Sequence, residues 1–231
     1  MSLCSSRGFD FFLERQWVAS IAPDGCHVDG GRIIELKPSG YLQEEALIRA
    51  AMSKRQREFR SGRHFARKLL GSLGYCATEI LARPDGDPIW PVGTCGSIAH
   101  SGELVLVIVG ETGFFQGIGI DLEVDFVVDP EFRSLVCRPE EILQQGKFLQ
   151  RGLNIAKFCF VAKEAFYKAI FPTSRRFLNF DQVYVHFDLD TNSFKCYVED
   201  VEGCNSLRRA EGCGYFSFTE RSLLAAFFIP A

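Results

Sequence analysis

The charges best placed to do chemistry in this sequence interrupt an apolar stretch, GIGIDLEV, at residues 117–124. Asp121 and Glu123 are two positions apart, so in a strand their side chains point to the same face. Adjacent carboxylates repel each other and lose hydration on burial unless a cation compensates them, and Mg²⁺ binds oxygen ligands of this kind. A strand that turns both carboxylates to solvent and its aliphatic residues to the core explains the same pattern, so both interpretations stay open.

A second group of charges lies in FVAKEAFYKAIFP, at residues 160–172. Glu164 and Lys168 are four positions apart, which places them on one face of a helix. The apolar neighbours bury most of that helix and leave a narrow polar stripe. The pair is either a surface ion pair or a third metal ligand or base beside a cation that neutralises a phosphate group.

Two further segments indicate an anionic ligand. The loop GSIAHSG, at 96–102, places His100 between serines directly before the acidic stretch. The basic segment KRQREFRSGRHFARK, at 54–68, carries Arg55 and Arg63 about two helical turns apart. Guanidinium groups match phosphate through their forked donors. A structural histidine and a solvated basic helix face are the alternatives.

Composition limits the function classes. The chain has 231 residues, 47% of them hydrophobic, and a formal net charge of −3, which gives no indication of nucleic-acid binding. The longest apolar run, at 104–109, is too short to span a membrane, and the first residues lack the apolar core of a secretory signal, so we expect a cytoplasmic protein. The nine cysteines form no CxxC pair, which is typical of reduced, structural thiols.

The first half of the chain predicts one long helix and a strand hairpin. The helical pattern runs over 44–73, with an interruption expected near residues 61–62. A loop rich in proline and glycine follows at 83–97. The segments 103–110 and 113–124 read as strands that pair through a GETG turn.

The second half repeats the order of helix and strands. A helix at 154–172 is predicted to begin with Asn154 as its N-cap and to end before Pro172, and the strands QVYVHFDL, SFKCYVE and LLAAFFI follow it. This pattern predicts an α+β chain of two similar subdomains, at 1–110 and 111–231. The halves share no visible sequence identity.

The order of the motifs KRQREFRSGRHFAR, WPVGTCGSIAHSG, GIDLE and AKEAFYKAIFP resembles the surfactin/enterobactin-type 4'-phosphopantetheinyl transferases over roughly residues 50–190. This resemblance implies transfer of the phosphopantetheine arm of coenzyme A to a serine of an apo acyl or peptidyl carrier protein, with release of 3',5'-ADP. It also implies a requirement for Mg²⁺, or Mn²⁺ in its place. The expected architecture is a monomer whose two subdomains are related by pseudo-twofold symmetry, with the site between them and no membrane or nucleic-acid partner.

The same resemblance assigns roles to individual residues. Asp121, Glu123 and Glu164 are expected to hold the metal, with Glu164 also the general base and Lys168 the cation at the α-phosphate. The residues expected to contact coenzyme A are Arg55, Arg63, Asp85, Gly86, Asp87, Pro88, Ala99, His100, Lys163, Lys168 and Leu178. Some relatives carry a lysine at the position of Asp85.

Two other functions stay open from the sequence. A Mg²⁺-dependent hydrolase of coenzyme A or of a nucleotide pyrophosphate would use water in place of the carrier serine. A catalytically silent protein that binds coenzyme A or docks a carrier is the other, and the intact set of Asp121, Glu123, Glu164 and Lys168 argues against it, since such a protein has no need to keep all four. Carrier proteins occur in siderophore, other nonribosomal peptide, polyketide and fatty-acid synthesis, and the sequence does not select among them.

Overall fold

The structure is a computed structural model that describes residues 16, 18–124, 127–199 and 207–231. Within these residues the chain forms helices packed on antiparallel sheets, so the predicted α+β class is confirmed. None of the described helices is both long and apolar enough to cross a membrane.

The smaller sheet has the order β1-β3-β2 and is antiparallel throughout. Its strands are β1 at Cys26–Arg32, β2 at Thr94–Ser101 and β3 at Leu104–Glu111. The central strand, β3, is buried along nearly its whole length because it is aliphatic on both faces. The hairpin of this half is therefore formed by β2 and β3, and His100, which was predicted to lie in a loop, is on β2 and pairs with Val105 of β3.

Two helices, α1 at Leu42–Ile48 and α2 at Ser53–Ser72, replace the single interrupted helix of the prediction. The break lies at residues 49–52, so the interruption predicted at residues 61–62 is wrong. The glycine of that pair sits inside α2, where a Cβ atom would lie 2.9 Å from the side chain of Ile98 on β2. Glycine is present there because the helix packs closely on the sheet.

The larger sheet has the order β4-β9-β8-β6-β5 and is also antiparallel, with β7 paired to β6. Its strands are β4 at Phe115–Val124, β5 at Val183–Asp188, β6 at Ser193–Glu199, β7 at Leu207–Arg209, β8 at Cys213–Phe218 and β9 at Ser222–Pro230. The three strands predicted in the second half are confirmed as β5, β6 and β9. The strand β8, with the sequence CGYFSF, was not predicted.

The predicted hairpin between 103–110 and 113–124 is wrong. Both edges of β3 are already paired, one with β1 and the other with β2. The chain therefore crosses after β3 to the other sheet, where β4 pairs with β9 and Asp121 lies opposite Ala225. Both β4 and β9 are largely buried, so their backbone groups need hydrogen-bond partners. Each strand supplies these partners to the other, because β3 has no free edge.

The long helix of the second half spans Ile155–Ser174 and is preceded by three short helices. These are α3 at Pro130–Val136, α4 at Pro139–Ile142 and α5 at Gln145–Leu149, so the long helix is α6. The predicted N-cap is confirmed, because the side-chain oxygen of Asn154 accepts a hydrogen bond from Ala156 N at 3.0 Å. Pro172, which was predicted to lie beyond the helix, is inside its last turn.

The helix α6 packs directly against the backbone of β4. A Cβ atom at Gly117 would lie 2.1 Å from Ala169 O, and one at Gly119 would lie 1.9 Å from Ala165 O. These approaches leave no room for a side chain, so the two glycines bring the helix into backbone contact with the strand. The residues that follow them on β4 are thereby held against the polar stripe of α6.

Phenylalanine fills the core between α6 and the larger sheet. The rings in contact there belong to Phe148, Phe158, Phe166, Phe187, Phe194, Phe216 and Phe227. Most of these pairs meet edge to face, which is the favoured arrangement of aromatic rings. This packed core fixes the position of α6 on the sheet. Glu164 and Lys168 project from the other side of the helix.

Candidate active site

A cleft of about 760 Å³ lies between α2, the loop at 82–88, β2 and α6. Many of the residues predicted from the sequence line it. These are Arg55, Arg63, Asp85, Gly86, Asp87, Pro88, His100, Glu164 and Lys168. Segments that are far apart in sequence therefore meet in one cavity, with basic groups from α2 on one wall and the polar stripe of α6 on the other.

The acidic end of the cleft is organised around Asp121, which, like Glu123, is not among the lining residues and meets the cleft through its bond to Lys168. Its Oδ1 accepts a hydrogen bond from Lys168 Nζ at 2.6 Å, while its buried Oδ2 has no hydrogen-bond partner among the described residues. Glu123 Oε2 accepts a hydrogen bond from Ser101 Oγ at 2.9 Å, and the same hydroxyl accepts one from Val124 N. The serine thus fixes the end of β2 against β4 and holds one carboxylate toward the other.

These carboxylates carry more negative charge than the surroundings compensate. Burial raises the pKa of Asp121, and burial together with the charge of Asp121 raises the pKa of both Glu123 and Glu164. Burial alone would lower the pKa of Lys168, but its attraction to Asp121 and to the two glutamates raises it. One lysine therefore serves three carboxylates, and the site favours an additional positive charge.

A divalent cation fits this donor set in type and charge. Three carboxylates offer hard oxygen ligands, and the unpartnered Asp121 Oδ2 is a ligand atom that needs a partner. Among the described residues, only Cys137, Glu141 and Cys159 bring three potential metal ligands within 4.8 Å of one another, so the carboxylates at the cleft are more widely spaced than that. Both oxygens of Glu141 already accept hydrogen bonds, from Arg138 N, Lys163 Nζ and Val185 N, so this tighter cluster has no unpartnered carboxylate oxygen.

His100 belongs to a network with two residues of α2. Arg55 Nη1 lies 2.7 Å from His100 Nε2, and Glu58 Oε2 lies 3.7 Å from both His100 Nδ1 and Arg55 Nη1. Burial and the nearby charge of Arg55 lower the pKa of His100. A neutral ring that accepts from Arg55 carries its proton on Nδ1, toward Glu58. Sequence reasoning missed Glu58, although its spacing of three residues from Arg55 on a helix was a usable signal.

Arg63 is buried beneath the cleft and supports its floor. Its Nε donates to Ile80 O at 2.7 Å, and its guanidinium lies 4.3 Å above the ring of Phe59. Burial lowers the pKa of Arg63 to about 10. The side chain lines the cavity, so a ligand anion can reach its charge, but part of its hydrogen-bonding capacity already anchors the segment before the loop at 82–88.

That loop is tied across the cleft by Asp87. Its Oδ2 accepts hydrogen bonds from Arg83 Nη1 at 2.7 Å and from Arg175 Nη1 at 3.0 Å, while its buried Oδ1 has no partner in the described part of the chain. Gly86 adopts a φ of 91°, which the turn requires and other residues rarely adopt. Arg175 follows the end of α6, so this contact joins the two walls of the cavity.

Three predicted contacts lie outside the cleft. Ala99 is buried in the core beneath β2. Leu178 lines a second cavity of about 450 Å³, which adjoins the cleft at Glu164. Lys163 is 2% exposed, and its ammonium points away from the cleft to Val136 O, Glu141 Oε2 and Phe180 O. This placement argues against the predicted contact of Lys163 with coenzyme A.

Comparison with known families explains why these elements occur together. Residues 43–110 match the model of the 4'-phosphopantetheinyl transferase N-terminal domain, and residues 117–212 match that of the 4'-phosphopantetheinyl transferase superfamily. The chain belongs to this superfamily. The first match contains α2 and β2, and the second contains α6 and most of β4, so the transferase cleft is built from both matched regions.

Individual relatives agree with this assignment and make the chain a 4'-phosphopantetheinyl transferase. It is 34% identical over 154 residues to the 4'-phosphopantetheinyl transferase PptT of Mycobacterium tuberculosis, and the aligned region covers 66% of this chain and 68% of that protein. Identity to the 4'-phosphopantetheinyl transferase Npt of Nocardia iowensis is 32% over 178 residues, with 76% and 79% covered. Enterobactin synthase component D of Escherichia coli is 29% identical over 148 residues, with 59% and 68% covered.

Proposed function

We propose that this transferase moves the 4'-phosphopantetheine arm of coenzyme A to a serine hydroxyl of an apo acyl or peptidyl carrier protein and releases 3',5'-ADP, with Mg²⁺ or Mn²⁺ bound at the acidic end of the cleft. The observation that carries the proposal is the group formed by Asp121, Glu123, Glu164 and Lys168, in which a buried carboxylate oxygen has no partner. A pyrophosphate substrate and its metal ion supply the charges that this group lacks.

The two ends of the cleft suit the two ends of the nucleotide. Arg55, Arg63 and His100 offer cationic or hydrogen-bonding groups for the 3'-phosphate and the adenosine, and the loop from Asp85 to Pro88 lies beside them. A cavity of about 760 Å³ is of the size in which proteins bind cofactors. The pyrophosphate would then lie toward α6, where Lys168 and the carboxylates meet.

The chemistry requires a base, charge neutralisation and alignment. Glu164 takes the proton of the carrier serine, directly or through a water, as the serine oxygen attacks the phosphorus next to the pantetheine arm. The bond from that phosphorus to the bridging oxygen breaks, and 3',5'-ADP leaves with this oxygen. Lys168 stabilises the charge that develops on the leaving α-phosphate. A metal ion held by Asp121, Glu123 and Glu164 would neutralise the pyrophosphate.

The division of labour in the chain follows from the same proposal. We infer a monomer in which residues 1–110 and 111–231 form two subdomains, the first supplying the nucleotide end of the cleft and the second the acidic end. Leu178 would lie beside the pantetheine arm, because its cavity adjoins Glu164. The relative named enterobactin synthase component D makes a peptidyl carrier of siderophore synthesis one of the first substrates to test.

Intact-mass spectrometry of apo carrier proteins tests the reaction. Acyl and peptidyl carriers are incubated with the enzyme, coenzyme A and Mg²⁺, with EDTA as a parallel arm. We expect a mass gain of one phosphopantetheine on at least one carrier, release of 3',5'-ADP, and loss of both with EDTA. Consumption of coenzyme A without a mass gain would indicate a hydrolase instead, and binding of coenzyme A without its consumption would indicate a silent protein.

A further inference from the structure

Lys163 and Glu164 are adjacent in sequence, but their side chains leave α6 in different directions. Glu164 lines the cleft, whereas the ammonium of Lys163 lies behind it and is 2% exposed. Its Nζ donates to Val136 O, Glu141 Oε2 and Phe180 O, each at 2.8 Å. These bonds use all three donors of an ammonium group, so Lys163 has none left for a substrate phosphate.

Glu141 completes this arrangement from the short helix α4. The residue is 0% exposed, and its Oε1 accepts from Val185 N at 2.7 Å. Its Oε2 accepts from Arg138 N at 2.7 Å as well as from Lys163. The pair therefore links α6 to the end of α3, the start of α4, the turn before β5 and β5 itself.

The segments that the pair joins are the walls of the second cavity. Leu135, Phe180 and Val183 line it, and each lies at or within two residues of a backbone atom that Lys163 or Glu141 binds. Lys163, Glu164 and Tyr167 of α6 line the same cavity, with the ammonium of Lys163 directed to its three hydrogen-bond partners in the walls. Its volume is about 450 Å³, and it shares Glu164 and Tyr167 with the cleft, whereas Arg55 lines the cleft and not this cavity.

We propose that Lys163 and Glu141 are positioning residues that hold the walls of this second cavity around the part of the substrate that extends past Glu164, and that neither residue contacts the nucleotide. The inference rests on the proposed function, in which that part is the uncharged pantetheine arm. Loss of the ammonium leaves two carbonyls and a buried carboxylate without a shared donor, so the three segments separate and the cavity loses its shape.

The Lys163→Met variant tests the proposal by separating two affinities. Methionine has a similar length and no donor. The KM for coenzyme A is measured alongside the Kd for 3',5'-ADP, which contains the nucleotide but not the pantetheine arm. We expect the KM to rise on the order of tenfold, the equivalent of one hydrogen bond, while the Kd for 3',5'-ADP stays within about twofold of wild type.

The matched control is Arg55→Met, at the nucleotide end of the cleft. Here the affinities for coenzyme A and for 3',5'-ADP are expected to fall by a similar factor. If Lys163→Met also weakens both ligands equally, Lys163 contacts the nucleotide and the proposal is wrong. If it changes neither affinity, the pair has no positioning role and the proposal is equally wrong.

A double variant, Lys163→Met with Glu141→Gln, keeps the test decisive if the single variant does not fold. It removes both buried charges together, so no unpaired charge stays buried, but the amide accepts from only one of the two N–H groups of Arg138 and Val185, and only part of the lost thermal stability should return. The same split between coenzyme A and 3',5'-ADP is expected in it, and an equal loss of both would overturn the proposal. Failure of the proposed function is detected separately, in the transfer assay of the wild-type enzyme. A wild-type enzyme that transfers no phosphopantetheine would contradict that function.

Discussion

The helix α6 carries two lysine–carboxylate pairs that differ in how completely they are satisfied. In the Lys163–Glu141 pair the N–O distance is 2.8 Å, the side chains are 2% and 0% exposed, and every donor and acceptor has a protein partner. In the Lys168–Asp121 pair the distance is 2.6 Å, the side chains are 30% and 9% exposed, and Asp121 Oδ2 has no partner within the described chain.

The difference teaches that a short distance between the charged atoms of an ion pair does not identify a functional site. A buried ion pair in which one atom lacks a hydrogen-bond partner does. Five residues along a helix correspond to a rotation of about 140° between the two lysines, so they serve different sides of α6. The first pair is complete and connects elements of the fold. The second pair lacks charge and hydrogen bonds that a substrate and its metal ion can supply.

The largest expected effect comes from Glu164→Gln, at the boundary between the two pairs. Removal of the base should lower the transfer rate by about 10²- to 10⁴-fold, because proton transfer from the serine is lost. Affinity for coenzyme A should survive, since the amide keeps the shape of the side chain. Steady-state transfer and a calorimetric titration check the two effects, and a rate equal to wild type would rule out Glu164 as the base.

Substitution Lys168→Met breaks the unsatisfied pair. Transfer should fall by about 10²- to 10³-fold, the usual effect of removing one group that stabilises developing charge. The loss of stability should be smaller than that of Lys163→Met, because Lys168 is 30% exposed whereas Lys163 is 2% exposed and satisfies three buried acceptors. Initial rates with saturating coenzyme A and urea denaturation measure the two quantities.

The variant Gly119→Ala tests whether the contact between β4 and α6 holds the two parts of the unsatisfied pair together. The new Cβ would lie 1.9 Å from Ala165 O, so strand and helix must move apart, at a cost of about 1–3 kcal/mol in unfolding free energy. Transfer should fall as well.

The control for this variant is Gly113→Ala, at a glycine where a Cβ would meet no described atom within 4 Å. It should leave both stability and transfer near wild type. If Gly119→Ala behaves in the same way, the close approach of the helix and the strand is not needed to place Asp121.

Binding of Mg²⁺ is expected to stabilise the protein at the unsatisfied pair. At a hundredfold excess over the Kd, the unfolding free energy should rise by about 2.7 kcal/mol in the absence of substrate. Asp121→Asn should abolish this gain, whereas Cys137→Ser, in the tighter cluster behind α6, should retain it. Thermal unfolding with and without Mg²⁺ decides the matter. A gain in stability that depends on Cys137 and not on Asp121 would place the metal ion in the cluster behind α6 and contradict the metal site proposed at Asp121.

Local sequence patterns predicted the charged residues of the cleft but not all of their surroundings. The stripe of Glu164 and Lys168 and the spacing of Asp121 and Glu123 depend only on helix and strand periods. The partner of β4 could not be read in this way, because β9 lies about a hundred residues further along the chain. Nor could the position of Lys163, whose contacts with Val136 and Phe180 come from distant segments.

The account's central claim is that α6 keeps structure and chemistry on separate faces, and a side-by-side comparison of Lys163→Met and Lys168→Met tests it most directly. Transfer at saturating coenzyme A and unfolding free energy are measured for both. We expect Lys163→Met to lose about 3–5 kcal/mol of stability yet keep kcat near wild type while it is folded. Lys168→Met should lose kcat and much less stability. Equal losses of kcat, or the reverse pattern, would contradict the claim.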